Sequence, residues 1–126
     1  MRFAWTVLYV ADVPATLAFY ENAFGLTRRF LHEGNDWGEL ETGGTALAFA
    51  QESLTSDMNY VRNRPDQRPA GAEVAFVTDD VPAAYAKAIA AGAIPVQPPV
   101  AKPWGQIVSY VRDMNGFLVE LCTAVG

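Results

Sequence analysis

The chain has 126 residues, 51% of them apolar and 18% charged, enough for one compact domain with a real core and too apolar for a disordered tail. Ten glycines and eight prolines are scattered and the single cysteine, Cys122, has no partner in its own chain, which excludes collagen-like and disulfide-scaffold classes and makes a cytoplasmic, reducing setting the expectation. Nine Lys and Arg against fourteen Asp and Glu give a net charge of −5, so no nucleic-acid partner is expected.

The apolar run 3–11 stops at Asp12 and Pro14. It is too short to span a membrane, and no small-residue cleavage site follows it, so neither a membrane nor a targeting segment is expected. Within it, residues 5–10 alternate as a strand does. Asp12-Val13-Pro14-Ala15 then opens a helix, with Val13, Leu17, Tyr20 and Phe24 on one stripe and Gly25 at its end. Residues 27–32, 37–41 and 46–50 read as three short strands, divided by the turn Glu33-Gly34-Asn35-Asp36 and by Gly43-Gly44.

The order strand, helix, three strands then recurs. Asp80-Val81-Pro82-Ala83 repeats the first helix opening 68 residues on (12 to 80), and the apolar stripe maps onto Val81, Tyr85, Ala88 and Gly92. A strand over 73–78 precedes that helix; strands over 94–96, 106–111 and 117–122 follow it, divided by Pro98-Pro99 and Asn115-Gly116. Residues 53–70, with Pro65 and Pro69 and no period, read as a linker between module one (1–52) and module two (71–126).

The fold class expected is therefore α+β, two βαβββ modules forming a curved mixed sheet around a central cavity, with the helices outside. Alternation turns Thr6, Leu8, Val10, Val74, Phe76 and Thr78 toward the helices. Trp5, Val7 and Tyr9, and Glu73, Ala75 and Val77, then face the cavity. Glu120 has the same orientation in the last strand, with Cys122 two residues on. A carboxylate turned inward needs a partner or a shifted pKa, which singles out Glu73 and Glu120. Trp5, Tyr9, Trp37, Trp104 and Tyr110 supply aromatic surface suited to flat or cationic ligands. The Cys122 thiol, beside acids, is expected to have a raised pKa, and His32 and the arginines Arg62, Arg64 and Arg68 read as structural and solvated.

The Asp-Val-Pro helix openings, Phe19-Tyr20 followed by Phe24-Gly25-Leu26, the tract Lys102-Pro103-Trp104-Gly105, and Asp113-Met114-Asn115-Gly116 leading into Leu118-Val119-Glu120-Leu121 resemble the vicinal oxygen chelate superfamily. That superfamily contains glyoxalase I, extradiol dioxygenases, fosfomycin-resistance enzymes and bleomycin-resistance binding proteins. The resemblance covers nearly the whole chain and implies metal ligands in the first and last strands of each module, which here are Trp5, Ala48, Glu73 and Glu120. Trp5 and Ala48 have no donor atom. The expectation is metal-free binding of a small aromatic or cationic organic molecule by Trp5, Tyr9, Glu73, Trp104 and Glu120, in a homodimer. The alternative is a metal-dependent lyase or dioxygenase-like enzyme, a divalent metal held by Glu73 and Glu120; a third is an interaction module with no small ligand.

Overall fold

The structure is a computed structural model describing residues 1–126. The two modules repeat one plan. The first runs β1 (Trp5–Val10), α1 (Val13–Phe24), β2 (Arg28–Leu31), β3 (Trp37–Leu40) and β4 (Ala46–Gln51). The second runs β5 (Glu73–Val77), α2 (Val81–Ala90), β6 (Ile94–Ala101), β7 (Ile107–Arg112) and β8 (Leu118–Cys122). Each carries its own four-stranded mixed sheet, ordered β1-β4-β3-β2 and β5-β8-β7-β6. In both, the first strand lies parallel to the last and the other pairs are antiparallel.

Local chemistry starts both helices in the same way. The Asp12 carboxylate accepts from the Ala15 amide at 3.0 Å and that of Asp80 from the Ala83 amide at 3.1 Å, each satisfying an amide that the first helical turn leaves without an acceptor. Pro14 and Pro82 fall in the first turn, where a missing N–H costs nothing. α1 buries Val13, Leu17 and Tyr20 completely, and the Tyr20 ring meets Phe49 of β4 with centroids 4.9 Å apart. β3 comes so near this helix that a Cβ on Gly38 would lie 2.6 Å from Leu17 Cδ1. α2 is more lightly packed, with Val81 and Ala88 its buried residues.

Two differences from the sequence reading have physical causes. Pro98 and Pro99 do not end the strand begun at Ile94: β6 runs on to Ala101, its register with β7 shifting between Pro95 and Gln97 and again between Gln97 and Val100. β6 is an edge strand, where an imino nitrogen can face outward and irregular register absorbs what the ladder lacks. The segment 53–70 is also more structured than its composition suggests. It begins in a 3-10 turn, Glu52–Thr55, and the chain divides into compact units after Arg62, Met1–Arg62 and Asn63–Gly126. In the second unit the Arg112 guanidinium donates to the carbonyls of Arg64, Pro65, Gln67 and Gly116, tying residues 64–67 to β7.

Candidate functional site

The acidic candidates lie in the second unit, on the sheet face turned away from the core side chains Val111, Val119 and Leu121. Register places Glu120 of β8 between Ala75 of β5 and Tyr110 of β7, and residues opposite one another share a face. The Tyr110 hydroxyl donates to Glu120 Oε1 at 3.0 Å. Burial, followed by this hydrogen bond and the negative charge of Glu120, pushes the Tyr110 pKa up to about 12, so the phenol stays a neutral donor through the physiological range. Glu73, of the same parity as Ala75, is exposed rather than buried, because it begins an edge strand. Partial desolvation, then repulsion from Glu120, raises its pKa. Cys122, 4% exposed, shares the face, and desolvation followed by the Glu120 charge pushes its thiol up, away from nucleophilic use.

No ion pair engages this face. The ion pairs of the chain join Arg28 to Glu21, Arg29 to Glu39 and Glu41, Arg62 to Glu52 and His32 to Asp36, leaving Glu73 and Glu120 with no basic side chain within salt-bridge distance. The raised Glu73 pKa has a measurable consequence. A carboxyl whose pKa is higher in the folded state contributes stability below its unfolded pKa, and that contribution is lost as pH rises through the folded value. Glu73→Gln is therefore expected to raise the melting temperature slightly at pH 7, the difference from the parent closing as the pH falls toward 4. Calorimetric melting over that range is the check, and a difference independent of pH would count against the raised carboxyl pKa.

Trp104, 64% exposed, sits in the turn between β6 and β7, its indole nitrogen donating to Gln106 Oε1 at 2.9 Å. Trp5 and Tyr9 belong to the other unit. Trp5, 52% exposed, meets Trp37 edge-on with centroids 6.2 Å apart, and Tyr9 packs against Tyr60 at 5.0 Å. A shallow cleft of about 410 Å³ beside Trp5 is lined by Arg2, Phe3, Arg29 and Gly44. Its Arg29 is already committed, forming two bonds to the Glu41 carboxylate and one to the Gly43 carbonyl. His32 is exposed beside Asp36 in the β2–β3 turn, a structural place.

Sequence reasoning missed Glu39. This carboxylate, 6% exposed, accepts from the Trp37 indole at 2.9 Å and pairs with Arg29 at 3.4 Å. It lies opposite Ala48, on the face turned away from Leu17 and Val13. Strand alternation from Trp37 through Leu40 was the available signal.

A duplicated βαβββ module with a helix on one sheet face and chemistry-bearing side chains on the other defines a glyoxalase-like protein. The chain matches the Glyoxalase/Bleomycin resistance protein/Dioxygenase superfamily over residues 2–121 and belongs to that superfamily. Among solved structures it is similar to a glyoxalase-related enzyme from Fulvimarina pelagi, at 24% identity and TM-score 0.82, covering 98% of this chain and 88% of that one. It is similar also to TioX from Micromonospora sp. ML1, at 24% identity and TM-score 0.72 with 98% of both chains covered. A third is a glyoxalase/bleomycin resistance protein/dioxygenase family enzyme from Burkholderia phytofirmans PsJN, at 18% identity and TM-score 0.78, covering 97% of this chain and 98% of that one. These likenesses establish the fold. No curated protein matches the chain. No helix is long and apolar enough to cross a membrane.

The donor set does not fit the metal that this superfamily implies. Trp5 and the fully buried Ala48 offer no ligand atom, and no three His, Cys, Asp or Glu side chains converge on a point an ion could occupy. A catalytic zinc or iron site normally draws three protein ligands, with imidazole prominent among them.

Proposed function

We propose that the protein binds a small, flat organic cation without a metal, Glu73 and Glu120 supplying the charge and Trp104 the aromatic surface. The observation that carries this reading is the pair of carboxylates on one sheet face with no basic partner. Desolvation, followed by repulsion from Glu120, raises the Glu73 pKa, and a cation seated between the two carboxylates and solvent relieves that repulsion. Tyr110 orients Glu120, whose negative charge is then available to a ligand cation. Trp5 and Tyr9 are candidates for aromatic contact in their own unit. Sequestration of a cationic drug-like compound in the cytoplasm, in the manner of the bleomycin-resistance branch, is the role this chemistry suits.

A charge series on one ring system tests it. Calorimetric titration with N-methylquinolinium, neutral quinoline and anionic quinaldate at about pH 8, where quinoline is unprotonated, should show affinity falling in that order. Binding of the cation should be unchanged by EDTA. Equal affinity across the series, or tighter binding of quinaldate, overturns the reading; cation binding abolished by EDTA would transfer it to a metal-dependent site.

A further inference from the structure

The tetrapeptide Trp-Gly-Glu/Gln-Leu/Ile occurs twice, as Trp37-Gly38-Glu39-Leu40 and Trp104-Gly105-Gln106-Ile107. In both copies the indole N–H donates to the side-chain oxygen two residues on, at 2.9 Å. The partner of the first is a buried acid also engaged by Arg29; the partner of the second is a neutral amide in the acidic unit. The Gln106 amide nitrogen donates in turn to the Thr123 carbonyl at 2.8 Å, just beyond the end of β8, and its side chain reaches the Cys122 thiol. The turn below is closed by Gly105 N–H donating to the Lys102 carbonyl at 2.9 Å and Lys102 N–H to that of Gln106 at 2.7 Å.

An indole as exposed as Trp104 otherwise samples several rotamers, and a ligand stacking on it must freeze that motion at its own expense. The bond to Gln106 opposes that motion before any ligand arrives. A glutamate in this position would accept from the indole equally well. It would, however, add a carboxylate beside Cys122 and lose the bond to the Thr123 carbonyl. The amide is the one side chain of this length that accepts from Trp104, donates to Thr123 and leaves the charge of the face unchanged.

We infer that Gln106 is a positioning residue for ligand recognition: it holds the Trp104 indole, through the bond to its nitrogen, in the orientation in which an aromatic cation stacks on it. This rests on the proposed function and adds the element that sets its affinity for flat over non-aromatic cations.

The test uses the full chain labelled with 5-fluorotryptophan, whose three fluorine resonances, one for each tryptophan, are assigned by single Trp→Phe variants. In the parent, the Trp104 resonance should relax as an ordered side chain, and its indole N–H should exchange with water more slowly than that of a free indole; both are read without any substitution. Gln106→Met, similar in length but with no strong acceptor, should speed the motion of Trp104 alone and weaken N-methylquinolinium binding about three- to tenfold. Tetramethylammonium, which has no ring to stack, should lose little. Gln106→Glu should restore the order of Trp104 and at least the parent affinity for N-methylquinolinium. A freely moving Trp104 in the parent, or a Gln106→Met variant that binds N-methylquinolinium as the parent does, overturns the inference and leaves the proposed function standing. A parent that binds no N-methylquinolinium overturns both.

Discussion

Glu120→Gln is expected to weaken N-methylquinolinium binding by roughly tenfold to a hundredfold, the largest loss from any single change to the acidic face. Glu120 is half-buried, held by Tyr110, and its charge raises the pKa values of Tyr110, Glu73 and Cys122 alike, so its field is the one the whole face experiences. A charge in that setting is screened less than one in water. Glu73 is exposed, and Glu73→Gln should cost only a few fold. The glutamine keeps the shape and still accepts from the Tyr110 hydroxyl, which separates loss of charge from loss of structure. A second readout comes from the same variant: spectrophotometric titration of tyrosine should show the Tyr110 pKa falling from about 12, because its bond to an anion and the repulsion from Glu120 both disappear while desolvation remains. Parent-like affinity in Glu120→Gln, with the tyrosine titration shifted as expected, would show that the charge is present and that the ligand does not use it.

The parts of the fold that local chemistry decides are legible in the sequence. Asp12-Val13-Pro14 and Asp80-Val81-Pro82 announce both helices because an acceptor side chain and a proline are needed at those places in any helix start. The strand over 5–10 follows from alternation alone. The sequence implies a shorter β6 because proline is penalised in a strand unless the strand is an edge, and edge position is a property of the assembled sheet. The site divides along the same line. Parity puts Glu73, Glu120 and Cys122 on one face, but the bond between Tyr110 and Glu120 requires the β7–β8 register, which strand lengths and turns set together. Glu39 escaped notice because its partners, Trp37 and Arg29, come from β3 and β2, and only their pairing gives that carboxylate a reason to be buried. The twin Trp-Gly-Glu/Gln tetrapeptides stand in the sequence in plain view; the indole bond that gives them meaning is visible only in three dimensions.

The largest expected loss of stability is at Gly116. Gly116→Ala is expected to cost about 3 kcal/mol or more, read as a lower denaturation midpoint with an unchanged slope. Two penalties combine there. The backbone lies at φ 86°, where a side chain adds about 1–2 kcal/mol of strain. A Cβ would also stand 2.5 Å from both the Arg64 carbonyl oxygen and Arg112 Nη2, the first of them a backbone atom. Relief would require pulling residues 64–67 off the Arg112 guanidinium, breaking the bonds that fasten this segment to β7. Gly92→Ala provides the control, since Gly92 has a comparable φ of 104° but no atom within 4 Å of the added carbon, so strain alone, about 1 kcal/mol, is expected. The excess at Gly116 is the cost of close approach. That cost reaches the acidic face, because the turn from Asp113 to Phe117, closed by the Asp113 carboxylate accepting the amides of Asn115 and Phe117, launches β8 and fixes the register that places Glu120 opposite Tyr110. Gly116→Ala should therefore lower cation affinity as well as stability, whereas Gly92→Ala should leave affinity at the parent value. Equal stability losses in the two variants would mean that residues 64–67 are not held against β7.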